Sequence, residues 1–140
     1  MKTIGRREYI DLPDLNLYKI DAKIDTGAYS GALHCHHIEV VEQDSEKFLR
    51  FQLLDPTHPE YEDVYCYSRE FRMKKVRSSS GESQDRYTIK TRISIFGKTY
   101  RVELSLTNRK DMRYPVLIGR KFLRKKFVVD VSKKYLSPYK

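Results

Sequence analysis

The fold class that this sequence predicts is mainly β, an all-β barrel or sandwich with one short helix near the C-terminus, and three observations carry it. Apolar and polar residues alternate at a period of two through most of the chain, the pattern of half-buried strands. Polar stretches rich in Pro, Gly and Ser separate these runs. A single stretch, residues 119–127, has helical spacing, and no segment repeats.

Taken in order, "YKIDAKID" puts Ile20, Ala22 and Ile24 on one face and Lys19, Asp21, Lys23 and Asp25 on the other. "FLRFQLLD" lines up Leu49, Phe51 and Leu53, and "DPTHPEYED", with two prolines, is a loop. "RSSSGESQD" is a second, polar loop. "RYTIKTRISIF" aligns Tyr87, Ile89, Ile93 and Ile95. "TYRVELSLT" aligns Tyr100, Val102, Leu104 and Leu106 against Arg101, Glu103, Ser105 and Thr107. The short "FGK" between these last two runs, with Gly97, makes them a β-hairpin. "TNRKDMRYP" leads into Pro115; in "GRKFLRKKF" Gly119 opens a helix on which Phe122, Leu123 and Phe127 share a face; "FVVDVS" reads as a buried strand.

At 140 residues the chain is one domain, 1–140, long enough to bury a core. Hydrophobic residues make up 39%, which excludes a disordered chain. The net charge of +9 attracts polyanions, whether nucleic acid, acidic peptides or phosphorylated ligands, or else marks a basic solvated surface. Cys35 and Cys66 lack metal or redox spacing and read as reduced, partly buried thiols. The N-terminus lacks the apolar run of a signal peptide and no segment is apolar enough to span a bilayer, so the expectation is a soluble cytoplasmic protein with no membrane association. No phosphate-binding glycine loop is present, so the residues support no ATP requirement, and no cofactor is expected.

One acid stands out. Asp25 ends an apolar run and is followed by Thr26, Gly27 and Ala28, then Ser30, Gly31 and Ala32. Asp is disfavoured inside strands, so it marks a strand exit; Gly27 allows a sharp turn beneath the carboxylate, and small neighbours leave it open. An Asx-turn at a strand end is the plain structural reading. "RYPVLIGRKFL", residues 113–123, changes the weighing: an apolar run, Gly119, Arg120 and a helix start. D-T-G-A followed late in the chain by apolar-apolar-Gly-Arg resembles the retropepsin-like aspartic peptidases. Asp25, Thr26, Gly27 and Ala28 match the first motif, and Leu117, Ile118, Gly119 and Arg120 the second. "AKIDTGAYSGALH", "VRSSSGESQDRYTI", "ELSLTNRKDMRYPVLIGRKFL" and "FVVDVS", in that order, are similar to the small bacterial family long labelled ATP-dependent zinc proteases, now grouped with retropepsin-like endopeptidases and associated with RimK-type glutamate ligases. The similarity runs from Ile4 to Leu136.

The resemblance implies a retropepsin-like acid-protease barrel, a single domain with a short C-terminal helix, and peptide hydrolysis at Asp25, Thr26 and Gly27, with Ala28, Leu117, Ile118, Gly119 and Arg120 bracing the loop. Aspartic peptidases need two carboxylates sharing one proton. The chain has one D-T-G, so a homodimer would supply the second, with Thr26 bonding across the axis. The resemblance also implies a flap, for which Arg77, Ser78, Ser79, Ser80 and Gly81 are the candidates. Arg69, Arg72 and Lys75, with Lys74 and Arg77, crowd that arm and are candidates for contacting an acidic substrate, a glutamate-rich or glutamylated peptide if the link to a RimK-type ligase holds. Two alternatives stand beside this one. "HCHH" places His34 and His36 on one side of a strand, a zinc pair needing a distant third ligand such as His58 or Cys66, yet no HExxH accompanies it, so no metal is expected. A non-catalytic basic barrel could bind nucleic acid through Tyr65, Tyr67 and Phe71 beside Arg69 and Arg72, but no RNA-binding motif supports it.

Overall fold

Alternation in the sequence becomes strands in the computed structural model, which describes residues 1–54, 61–77, 81–108 and 114–138. The strands are β1 (Lys2–Gly5), β2 (Arg7–Leu12), β3 (Leu17–Ile24), β4 (Gly31–Gln43), β5 (Glu46–Leu53), β6 (Cys66–Ser68), β7 (Phe71–Arg77), β8 (Ser83–Ile95), β9 (Lys98–Thr107), β10 (Val116–Ile118) and β11 (Phe127–Asp130), with one α-helix among the described residues, α1 (Arg120–Leu123), and a short 3-10 turn at Pro13–Leu15. Neighbours run β10-β3-β2-β8-β9-β4-β5-β6, with β7 added to β8. The short β10 pairs both parallel to β3 and antiparallel to β4, so six strands, β10-β3-β2-β8-β9-β4, close on themselves as a barrel. Closure leaves those strands no free edge. No helix among the described residues is long and apolar enough to cross a membrane.

The buried faces follow the period of two. Ile20, Ala22 and Ile24 are in the core with Leu33, Leu49, Phe51, Ile89, Ile93, Leu104, Val116 and Ile118. Each such Ile, Leu or Phe contributes about 1.5–3 kcal/mol on leaving water. The β8–β9 hairpin has a two-residue turn: Ile95 pairs with Lys98, while Phe96 and Gly97 take φ of 52° and 69°. Both values are positive, as a type I′ turn requires. Ser105 and Thr107, on the polar face of β9, are buried, and Ser105 Oγ donates to the Gly31 carbonyl.

The C-terminal segment departs from expectation twice. The helix is a single turn, not nine residues: Arg124 leaves helical backbone and Lys125 takes φ 64°, while the Lys126 N–H turns back to the Leu123 carbonyl. Phe122, Leu123 and Phe127 are nonetheless all buried, because the chain bends into β11 instead of continuing to wind. "FVVDVS" is not a buried strand. β11 pairs parallel with β1 in a separate two-stranded sheet, with Val128 half exposed and Val131 69% exposed. This outer sheet is tied to the barrel by Glu8, which is fully buried and whose carboxylate accepts the backbone N–H groups of Gly5, Leu136 and Ser137.

Candidate active site

Asp25 emerges where β3 ends, half-buried, with Thr26 and Gly27 exposed after it. Its Oδ1 accepts the Gly27 N–H at 3.0 Å, and its carbonyl accepts the Ala28 N–H at 3.2 Å, so the loop is an Asx-turn. The Asp25 N–H donates to the Ile118 carbonyl at 2.9 Å, extending the β3–β10 ladder to the acid itself.

The second motif clamps this loop through elementary helix chemistry. The first N–H groups of a helix have no partner within it. In α1 two of them are spent on the acid's loop: Arg120 N–H donates to the Ala28 carbonyl and Lys121 N–H to the Tyr29 carbonyl, at 2.9 and 2.8 Å. The Arg120 guanidinium adds a bond from Nη1 to the Thr26 carbonyl at 2.8 Å and lies 5.9 Å from the Tyr29 ring centre. Gly119 is required because a Cβ there would sit 2.6 Å from the Tyr29 carbonyl oxygen and 2.7 Å from that of Ser30. Gly31 is equally confined, between the Leu104 side chain and the Leu117 carbonyl. Asp25 to Ala28 and Ile118 to Arg120 are thus brought together, while Leu117 pairs with Ala32 on one side and with Lys23 on the other.

Lys23 was not singled out in the sequence, although alternation puts it on Asp25's face of β3. It is exposed, and its register partner on β2 is Arg7. Arg7 is held by Asp21 on the same face.

The arm expected to form a flap is a β-hairpin, β7 against β8, in register from Phe71–Ile89 to Arg77–Ser83. Gly81 takes φ 87° with open space around it. Ser78, Ser79 and Ser80 lie outside the described residues, as does His58. The basic residues of the arm do not form one cluster. Arg69 pairs with Glu46 at 2.6 Å; Arg72 and Lys74 both bind Glu103; Lys75 projects from the opposite face of β7. Burial pushes the Glu103 carboxyl up, but the hydrogen bonds from Lys74 and Arg72 outweigh it and hold the group below the ordinary carboxylate range.

The histidines turn to separate carbonyl partners. His34 is buried with Nδ1 3.3 Å from the Thr107 carbonyl oxygen; His36 Nδ1 lies 2.5 Å from that of Leu54; His37 Nδ1 lies 2.6 Å from Gln52 Oε1. Gln52 in turn donates to Asp63 at 2.7 Å. Among the described residues no three His, Cys, Asp or Glu side chains converge as a metal would need. Cys35 and Cys66 are free thiols, and burial pushes both upward, Cys35 the further.

Comparison with known proteins bears on the same residues. The family model described as RimB-like, retropepsin-like aspartic endopeptidase RimB, matches residues 3–140. A protein of Shewanella pealeana named "Probable alpha-L-glutamate ligase" is 33% identical over 132 residues, 94% of this chain and 29% of that protein. One of Desulfotalea psychrophila with the same name is 29% identical, over 92% of this chain and 28% of its own length. The chain therefore spans less than a third of these curated relatives. A crystal structure of a Legionella pneumophila protein described as of unknown function superposes with a TM-score of 0.75 at 29% identity, over 96% of this chain and 97% of the other.

Proposed function

The chain belongs to the RimB-like family of retropepsin-like aspartic endopeptidases, and from that premise we propose that it hydrolyses peptide bonds with a water held between Asp25 of one copy and Asp25 of a second. The observation that carries this reading is the clamped loop: a half-buried carboxylate on an Asx-turn, fixed from behind by two helix N–H groups and the Arg120 guanidinium. Such bracing suits a group that must keep its place while charge moves. One carboxylate cannot both activate water and polarise a carbonyl. Two about 3 Å apart share a proton, so the ionised one takes a proton from water and the protonated one donates to the scissile carbonyl oxygen. With one D-T-G in the sequence, the partner acid comes from a second copy around a two-fold axis, where Thr26 would bond across.

The substrate class we infer is a peptide bearing glutamates. Lys23, exposed beside the acid on its own face, supplies a cation for a carboxylate side chain next to the scissile bond. The relatives named as glutamate ligases carry a unit like this one within a longer chain, which supports a link between adding glutamates and removing them. Digestion of a peptide library by wild type and by Asp25→Asn tests the reading. Cleavage by wild type, enriched at glutamate and abolished in the variant, is the expected result; cleavage that persists in Asp25→Asn overturns it.

A further inference from the structure

Away from Asp25, the strand period produces a second charged surface. Register places Arg72 and Lys74 of β7, Arg86, Lys90 and Arg92 of β8, and Arg101 of β9 on one face of the three-stranded arm, with Glu103 as the acid these strands contribute to it. Two cross-strand pairs on this face are cation against cation: Lys74 opposite Arg86, and Arg92 opposite Arg101. Like charges directly opposite one another destabilise a sheet. Glu103 engages Arg72 and Lys74, with Lys121 at 3.6 Å, and Asp14 holds Arg92. Lys90 and Arg101 are exposed and have no ion-pair partner among the described residues.

Three adjoining cavities, of about 270, 260 and 130 Å³, run along this face. The first and second share Lys90, the second and third share Arg101, and Glu103 lines both the first and the third. The last is also bounded by Gly31, Ile118 and Gly119, the residues packed behind the Asp25 loop. Aromatic rings that touch the furrow, Phe71 and Phe122, are half-buried and buried, so it offers no open platform on which bases could stack.

We propose that this furrow is a binding site, separate from the catalytic loop, for an extended carboxylate-rich peptide. In an extended chain, side chains on one side recur about every 6.6–6.8 Å, the spacing of Lys90 and Arg92 on β8, while Arg101 lies one strand over at about 4.8 Å. A run of glutamates lying along the furrow puts a carboxylate at Arg101 and another at Lys90, adding charge-assisted hydrogen bonds where no ion pair stands, while Arg92 keeps its bond to Asp14. The proposal rests on the peptidase reading only in its choice of ligand.

The test is fluorescence anisotropy of a labelled glutamate decapeptide with the full chain carrying Asp25→Asn, so that nothing is cleaved. Adding Lys90→Gln and Arg101→Gln, which break no ion pair among the described residues and place no acid opposite Glu103, should weaken binding roughly tenfold and flatten its salt dependence, with the thermal midpoint little changed. Equal affinity in the charge-neutralised chain overturns the proposal. So does absence of binding by the parent, or tighter binding of a single-stranded RNA of equal charge displaced from the same residues. Binding through this face by a wild-type chain that cleaves nothing would refute the peptidase reading and leave the furrow standing. Cleavage by a chain whose affinity ignores Lys90 and Arg101 would do the reverse.

Discussion

Glu8 shows how much one residue can hold. It is a buried carboxylate with three backbone N–H donors and no charged partner within salt-bridge distance among the described residues. Replacing it with Ala leaves all three donors unsatisfied, so Glu8→Ala should cost about 3 kcal/mol of unfolding free energy and loosen the C-terminal segment first. Urea denaturation measures the first effect and hydrogen exchange at Leu136 and Ser137 the second. Gly119 is a residue of the opposite kind, needed for what it lacks. Gly119→Ala forces a methyl against the Tyr29 and Ser30 carbonyls, and a shift of the clamp by even a few tenths of an ångström moves Asp25. The expected result is a loss of about 2–3 kcal/mol in stability with a larger proportional loss of peptidase activity, since positioning errors are amplified in rate.

Among the elements, the β7–β9 arm carries one pH-dependent contact. The Glu103 carboxyl is held below its unfolded value, so its ion pairs stabilise the fold at neutral pH and are lost as pH falls through the folded-state value. Glu103→Gln should therefore cost about 1 kcal/mol at pH 7, the modest figure appropriate to partly exposed cations. The difference from wild type should shrink in acid, and thermal melts across the acid range check the sign. A deficit that grows as pH falls would mean that Glu103 is destabilising when ionised. α1 belongs at this scale too. One turn is too short to be stable alone, so it exists because its N–H groups find the Ala28 and Tyr29 carbonyls and because Phe122 and Leu123 enter the core.

The whole molecule is a closed barrel with a small outer sheet made from its two ends. That sheet leaves Met1, Val128 and Val131 exposed. In the dimer we propose, activity requires two copies, so specific activity should fall on dilution in step with the dimer fraction measured by sedimentation. Constant activity per subunit through dissociation would rule out a shared site.

The sequence by itself determined what is periodic or contiguous. Alternation gave Ile20, Ala22 and Ile24 their inward faces, Phe96–Gly97 its turn, and D-T-G-A with L-I-G-R the motif pair, because each is written in neighbouring residues. Tertiary structure alone decided the rest. It made β10 the closing strand between β3 and β4, cut the helix to one turn at Lys125, and turned "FVVDVS" outward. These depend on which strand lies beside which, and pairing between distant segments is fixed by packing and register across the fold, not by any local run of residues.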